Sequence, residues 1–382
     1  MARKIRMGMV GGGRGAFIGG VHRIAAAIDG EIELVCGAFS STPEKSKASG
    51  EDFMLDPSRC YGDFKEMIQK EKRRKDRIDV VSIVTPNHMH FAPAKMALEN
   101  GFHVICDKPV TFSLPEAKKL KEIIANTGLT FALTHNYTGY AMVKEARQLI
   151  KNGVLGTIRK VIVEYPQGWL SFPIEREGAK QAEWRTDPKR SGIAGAVGDI
   201  GTHAENLAEY ITGLKITELC ADVNRVVEGR VLDDDANVLL HFDNGAKGIL
   251  HCSQICNGDW NGLNIRVYGE LGTLQWHQEK PQYLHHKTTE GYQIYQPSVG
   301  KLSDSANAHT RIPFGHPEGY LEAFANVYRN FARTVRKRMN GEEPNEFDLD
   351  FPTIDDGIRG MQFVETVIAS GKSNSKWVKF KN

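Results

Sequence analysis

The stretch "KIRMGMVGGGRGAFIGGVHRIAAAID", residues 4–29, decides the fold. "KIRMGMV" (4–10) alternates in hydropathy and stops at a run of glycines, the pattern of a short strand entering a tight turn. Beyond the turn, Phe17, Ile18, Val21, Ile24, Ala25 and Ile28 recur at helical spacing. A strand, a glycine turn and a helix in that order open a βαβ unit. The theme repeats outward. "IELVCGAF" (32–39), "DVVSIVTP" (79–86), "HVICDKP" (103–109) and "LTFALTHN" (129–136) are continuous apolar strands, as expected where both faces of a sheet are covered. "HFAPAKMALENG" and "SLPEAKKLKEIIANTG" lie between them as helices. The second opens with Ser113 and Glu116 at capping-box spacing and closes on Gly128. The alternation predicts an α/β domain with a doubly wound parallel sheet.

After "MVKEARQLIKNGVLG" (142–156) the texture changes. "IRKVIVEYPQGW", "DANVLLHFDNG", "AKGILHCSQIC" and "LNIRVYGELG" are strands parted by Gly and Asn turns. They predict an α+β domain on a large, mostly antiparallel open sheet. A helix at 199–212 and two amphipathic C-terminal helices cover one face. The polar segment 280–312 reads as a loop or arm. The strands carry more apolar residues than one covered face needs, which predicts an apolar outer face. The boundary is expected near 136, giving residues 1–136 and 137–382 as the two domains.

Composition narrows the function. Lys plus Arg number 49 against 47 Asp plus Glu, so there is no basic excess to hold nucleic acid or an anionic membrane. Cys36, Cys60, Cys106, Cys220, Cys252 and Cys256 are scattered, most within apolar runs, and read as reduced residues. No apolar run reaches the length of a membrane span. The first strand starts too early to leave room for a secretory signal. A cytoplasmic location is expected.

Open parallel sheets bind ligands at the carboxyl ends of their strands. The first strand releases Gly11, Gly13 and Ala16, matching G-x-G-x-x-G/A, with Arg14 and Phe17 in the same turn; this predicts dinucleotide binding. The second strand ends at Ser40 and Ser41, with Lys45 beyond, where an acidic residue would mark an NAD ribose. Either NAD or NADP fits this pattern. Thr85, Pro86, Asn87 and His90 leave the third strand toward the nicotinamide side. His88 and His90 have no acid or cysteine at ligand spacing, so no metal is expected. Asp107 and Lys108 leave the fourth. A lysine fixed there by the next proline points into the crevice, as a hydrogen-bond donor to an alcohol. Asp199 and His203 share a helix face, with Gly198 and Gly201 leaving room for a ligand. An imidazole there suits proton removal near neutral pH.

Taken together, the glycine fingerprint, "TPNHMH", "DKP" and "GDIGTHAENL" in this order resemble the glucose–fructose oxidoreductase/inositol dehydrogenase (Gfo/Idh/MocA) family over most of the chain. The resemblance implies a Rossmann domain followed by a substrate-binding and oligomerisation domain, assembled as a homodimer or homotetramer. It implies Lys108, Asp199 and His203 as the catalytic centre. Asp107 stands where the family has Glu. The expected reaction passes a hydride between nicotinamide and a secondary alcohol or ketone of a sugar, anhydrosugar, glycoside or inositol. The small-molecule substrate is expected to meet Asn136, Tyr137, Trp184 and Arg185 as well as the catalytic pair. Tyr140, Gln167, Trp169 and His309 are further candidates. Two other readings stay open: glycoside cleavage through transient oxidation with no net redox change, and a non-catalytic dinucleotide-binding regulator.

Overall fold

Two units share the chain in the computed structural model, which describes residues 3–380. The first is the chain up to Asn136 together with Tyr320–Ile358; the second is Tyr137–Gly319 together with the chain from Arg359.

In the first unit, β1 (Ile5–Gly11), β2 (Ile32–Ala38), β3 (Val80–Val84), β4 (His103–Cys106) and β5 (Phe131–Leu133) form a parallel sheet in the order β2-β1-β3-β4-β5. The order reverses between β1 and β3, and that switch point puts the β1 turn and the ends of β3 and β4 on one rim. All five residues of β3 are buried, which explains a strand without alternation. Helix Leu114–Thr127 closes on Gly128 at φ 65°. Its opening differs from a capping box: Glu116 accepts from the Phe112 N–H at 3.2 Å, and Ser113 makes no side-chain cap.

Residues 320–358 belong to this first unit, where the sequence reading placed them with the second. The apolar stripe of helix Tyr320–Met339 supplies Phe324, Val327, Tyr328, Phe331 and Val335 to the cluster that holds Ile5, Met7, Met9, Val21 and Ala25. Each buried phenylalanine contributes about 1.5–3 kcal/mol. Arg333 and Arg336 both reach Glu31 at 2.8 Å, and the Leu133 N–H donates to the Pro352 carbonyl at 2.8 Å. An amphipathic stripe shows that a face is buried, not which core receives it.

The second unit is built on nine strands: β6 (Ile158–Pro166), β7 (Ile216–Asn224), β8 (Asp235–Phe242), β9 (Lys247–Ser253), β10 (Asn264–Gly269), β11 (Thr273–His277), β12 (Leu284–Lys287), β13 (Tyr292–Tyr295) and β14 (Trp377–Lys379). Their order is β13-β12-β11-β10-β6-β9-β8-β7-β14, antiparallel except for the parallel β6–β9 pair. Val161, Val163, Val238, Leu240, Leu250, Ile265, Val267 and Trp276 are buried on one face. Helices Ala141–Lys151 and Thr202–Thr212 pack there with Met142, Val143, Ala204, Leu207 and Ile211.

The other face differs from the apolar surface expected. Asn237, Leu239 and His241 on β8 alternate with buried neighbours, as do Arg266 on β10 and Gln275 and His277 on β11. The apolar surplus is used up by the inner face, and the outer one is mixed. Residues 280–312 are not a plain loop either. β12 and β13 pair as a hairpin that extends the sheet edge. Their side chains, "LHHK" and "YQIY", are mostly exposed or half-buried, so no buried alternation announces them.

Candidate functional site

On the first unit, the β1 turn combines packing with an open edge. Gly12 and Gly19 approach so closely that a Cβ on Gly19 would collide with the Gly12 backbone. The close approach of turn and helix thus belongs to a pair outside the fingerprint, not to Ala16. Gly15, at φ 74° with open space where a Cβ would stand, is the bare point of the turn. Helix Phe17–Ile28 follows with no side-chain cap from Ala16 and no acidic residue in its first turn. Its leading N–H groups therefore suit a diphosphate, favoured further by the helix dipole. These residues fit a dinucleotide. Phe17 is exposed at the same edge. Arg14 is held by Asp52 through its Nε and through Nη2 at 2.7 Å. Ser40 accepts from the Thr42 N–H at 3.3 Å, while Ser41 and Lys45 are exposed.

The later strand ends are stitched together. His90 is fully buried, and its ring nitrogens lie 2.7 Å from the Pro109 and Thr85 carbonyls. Burial pushes its pKa down, against the pull of Asp107 and of those carbonyls. Its imidazole joins the "TPNHMH" and "DKP" loops through both ring nitrogens. Asn87 is buried, and Thr85 and Pro86 are half-buried. Asp107 Oδ1 accepts from the Lys108 N–H at 2.9 Å and from Thr134 Oγ1 at 2.8 Å. Burial would raise the Asp107 pKa, but His22, Lys108 and His90 hold it well below the usual carboxylate range. Lys108 is half-buried, and its bond to Pro109 is cis. Burial, with the charge on Lys108, pushes His135 down to about 3. Asn136, just past β5, carries a buried Nδ2 with no hydrogen-bond partner. Such an orphan donor calls for an acceptor.

On the second unit, the expected pair lies at a helix entrance of unusual form. Val197–Gly201 makes a π-helical turn that runs into helix Thr202–Thr212, a feature common at functional sites. Asp233 anchors this entrance by accepting from the Gly195 and Val197 N–H groups at 2.7 and 2.8 Å. Asp199 sits on the π turn, where its Oδ2 accepts from Arg185 Nε at 3.0 Å and from Gln254 Nε2 at 2.9 Å. The Arg185 guanidinium also lies 4.2 Å from the Trp184 ring centroid and 5.6 Å from that of Trp169. His203, 7% exposed, meets the Tyr137 ring edge-on at 4.8 Å between centroids, with Tyr165 at 6.2 Å.

Those tyrosines begin a polar ring. Tyr137 and Tyr165 share a short hydroxyl contact. Tyr165 donates to Asn261 Oδ1 at 2.7 Å, and Asn261 Nδ2 donates back to the Tyr137 hydroxyl at 3.2 Å. Gln167 Nε2 donates to the same Asn261 oxygen at 2.7 Å, and Gln167 Oε1 accepts from Trp169 Nε1 at 3.1 Å. Burial pushes the Tyr137 phenol up. Tyr140 packs with its ring 5.2 Å from that of Trp276 and accepts from Gln278 Nε2 at 3.3 Å, while His309 is 1% exposed with Nδ1 on the Ser305 carbonyl.

Sequence reasoning missed Gln254, Asn261 and Tyr165. Asn261 sits in "NGDWNG", which looks like turn chemistry, and Gln254 is one polar residue past a strand end. Among the described residues, no group of three His, Cys, Asp or Glu side chains could hold a metal ion, and no helix is long and apolar enough to cross a membrane.

Residues 5–135 match the model of an oxidoreductase family with an NAD-binding Rossmann fold, and residues 143–275 match the GFO/IDH/MocA C-terminal domain. The uncharacterised oxidoreductase YfiI of Bacillus subtilis (strain 168) is 35% identical, covering 100% of this chain and 98% of its own. An oxidoreductase from Sinorhizobium meliloti superposes with a TM-score of 0.89 at 48% identity, covering 99% of this chain and 100% of its own. An inositol dehydrogenase homolog from Azotobacter vinelandii, complexed with NAD+, superposes with a TM-score of 0.95 at 35% identity, covering 100% and 98%. The same homolog has been solved with NADH and myo-inositol.

Proposed function

The chain belongs to the GFO/IDH/MocA family of oxidoreductases and carries its NAD-binding Rossmann domain, and on that premise we propose that it is an NAD-dependent dehydrogenase of a secondary alcohol in a sugar or cyclic polyol. One observation carries the reading. The Asp199 carboxylate is engaged by Arg185 and Gln254, which leaves the neighbouring His203 imidazole as the proton acceptor.

Bound NAD supplies the acceptor for the hydride. The chain's own residues do the rest. Lys108 donates a hydrogen bond to the alcohol oxygen, stabilising alkoxide character as the C–H bond breaks. His203 takes the hydroxyl proton, a contribution of roughly 10²–10⁴ in rate. Asp199, steadied by its two partners, orients the imidazole and the substrate. The orphan Asn136 amide finds its acceptor in a second hydroxyl. Trp184 and Trp169 offer apolar ring faces to C–H groups, while Gln167 and Asn261 present polar edges. The inositol dehydrogenase homolog solved with myo-inositol favours a ring polyol. NAD is favoured over NADP because Asp52 already neutralises Arg14 beside the turn.

The test is a panel of inositols, free sugars, anhydrosugars and glycosides with NAD and NADP, followed by reduced-cofactor formation and aglycone release. Reduction of NAD by a polyol or sugar, without aglycone release, is expected. Lys108→Ala and His203→Ala should each abolish turnover with NAD affinity retained. Near-normal turnover in either variant removes that residue from its role.

A further inference from the structure

Beneath Lys108 lies a buried polar chain that the proposed reaction does not use. His22, on helix Phe17–Ile28, is 0% exposed, and its Nδ1 lies 2.7 Å from the Tyr328 hydroxyl. Tyr328, on helix Tyr320–Met339, is 1% exposed and lies 2.9 Å from Ser82 Oγ on β3. At the other end, His22 Nε2 makes no hydrogen bond and stands 3.9 Å from Asp107 Oδ1. That oxygen also accepts from the Lys108 backbone and from Thr134. Side chains from β3 and two helices thus lead to the Asp107 carboxylate in the loop after β4, next to the proposed catalytic lysine.

For a neutral His22, chemistry fixes the direction of the chain. A neutral imidazole carries one N–H. If Nδ1 held it, a bare lone pair on the buried Nε2 would face an ionised carboxylate. With the proton on Nε2, Ser82 donates to Tyr328, Tyr328 donates to His22 Nδ1, and the Nε2–H meets the Asp107 carboxylate electrostatically across 3.9 Å. Two buried hydrogen bonds and a charge–dipole contact in series favour one arrangement of these side chains.

We propose that Ser82, Tyr328 and His22 form a positioning relay that orients the Asp107 carboxylate and, through it, the Lys108 backbone from which the donor amine projects. Tyr328 and His22 touch neither substrate nor cofactor; they act through Asp107. The inference rests on the proposed role of Lys108, and a helix from the last fifth of the chain thereby supports a group on the nucleotide-binding sheet. The charged and titratable groups around Asp107 are His22, Lys108, His90, His135, Tyr328 and Cys106.

The first test needs no turnover. Side-chain ¹⁵N spectra of the cofactor-free protein, with the His22 signal assigned by its absence in His22→Gln, should show the Nε2–H tautomer. That signal should move in Tyr328→Phe, which deletes one hydroxyl and keeps the ring. The Nδ1–H tautomer in the unmodified protein overturns the relay. In the second test, Tyr328→Phe should lower kcat about tenfold, the scale of one buried hydrogen bond, with KM and NAD affinity within about twofold. Ser82→Ala, at the far end, should act in the same direction and more weakly. In an Asp107→Asn background, Tyr328→Phe should cost nothing further, as for residues acting through one another. Full additivity with Asp107→Asn, or unaltered kcat in Tyr328→Phe, overturns the proposal. An unmodified enzyme inactive on every alcohol refutes the dehydrogenase reading instead, and the tautomer alone then decides the relay.

Discussion

Gln254 and Arg185 converge on one carboxylate oxygen, and that geometry assigns work to Asp199 that its sequence position does not specify. An aspartate tied to a guanidinium and an amide is a poor base and a good clamp. Removing the amide should loosen the clamp without touching the nucleotide. Gln254→Ala is expected to lower kcat/KM by about 10–100-fold, the range for a hydrogen bond to a charged group. Steady-state kinetics beside an NAD titration checks it, with NAD affinity unchanged. At this scale the sequence reveals side chains whose chemistry is distinctive in its place: Lys108 before a proline, or an acid and an imidazole four residues apart. His22 and Tyr328 are far apart in the chain and lie inside ordinary amphipathic helices, so nothing local marks them. His90 shows the reverse limit, since its position at a strand end does not reveal that both ring nitrogens lie against carbonyls.

Among the elements, the entrance to helix Thr202–Thr212 carries the sharpest dependence. Its π turn is held from outside by Asp233, in the segment leading to β8, and not by a cap of its own. Asp233→Ala leaves two buried N–H groups without an acceptor and should cost about 2–4 kcal/mol of stability, measured by urea unfolding. Of the five strands in the first sheet, β1 was legible from its alternation before the glycines and the other four from continuous apolar runs. β12 and β13 were not, because a terminal hairpin whose side chains are mostly exposed or half-buried carries no such run. The π turn was equally hidden: Gly198 and Gly201 signal room for a backbone, not its pitch.

For the molecule as a whole, acid should act on the first unit through two histidines it holds uncharged, His135 buried and His103 half-buried. Burial lowers His103 to about 4 and, with the charge on Lys108, lowers His135 to about 3. The unfolded chain takes up these protons below about pH 6.5, whereas the native one refuses them until far lower pH. Stability from these residues is therefore complete at neutral pH and falls as pH drops from about 6.5 toward 4. The loss is about 2 kcal/mol for each between pH 7 and pH 5. Urea unfolding at those two pH values should show it, and His103→Gln should shrink the difference by about 2 kcal/mol. The two-part architecture was legible from the change in strand texture near residue 136. The return of residues 320–358 to the first part was not, because Phe324, Val327, Phe331 and Val335 would fill any apolar groove of matching shape.

That return has a consequence for synthesis. A ribosome releases residues 1–136 well before it reaches Tyr320, so the newborn nucleotide-binding sheet leaves the tunnel without the helix that covers Val21 and Ala25. Nascent domains usually finish in the order they are made. Here the part translated first must keep an oily flank uncovered, and His22 without its tyrosine, until the closing helices arrive.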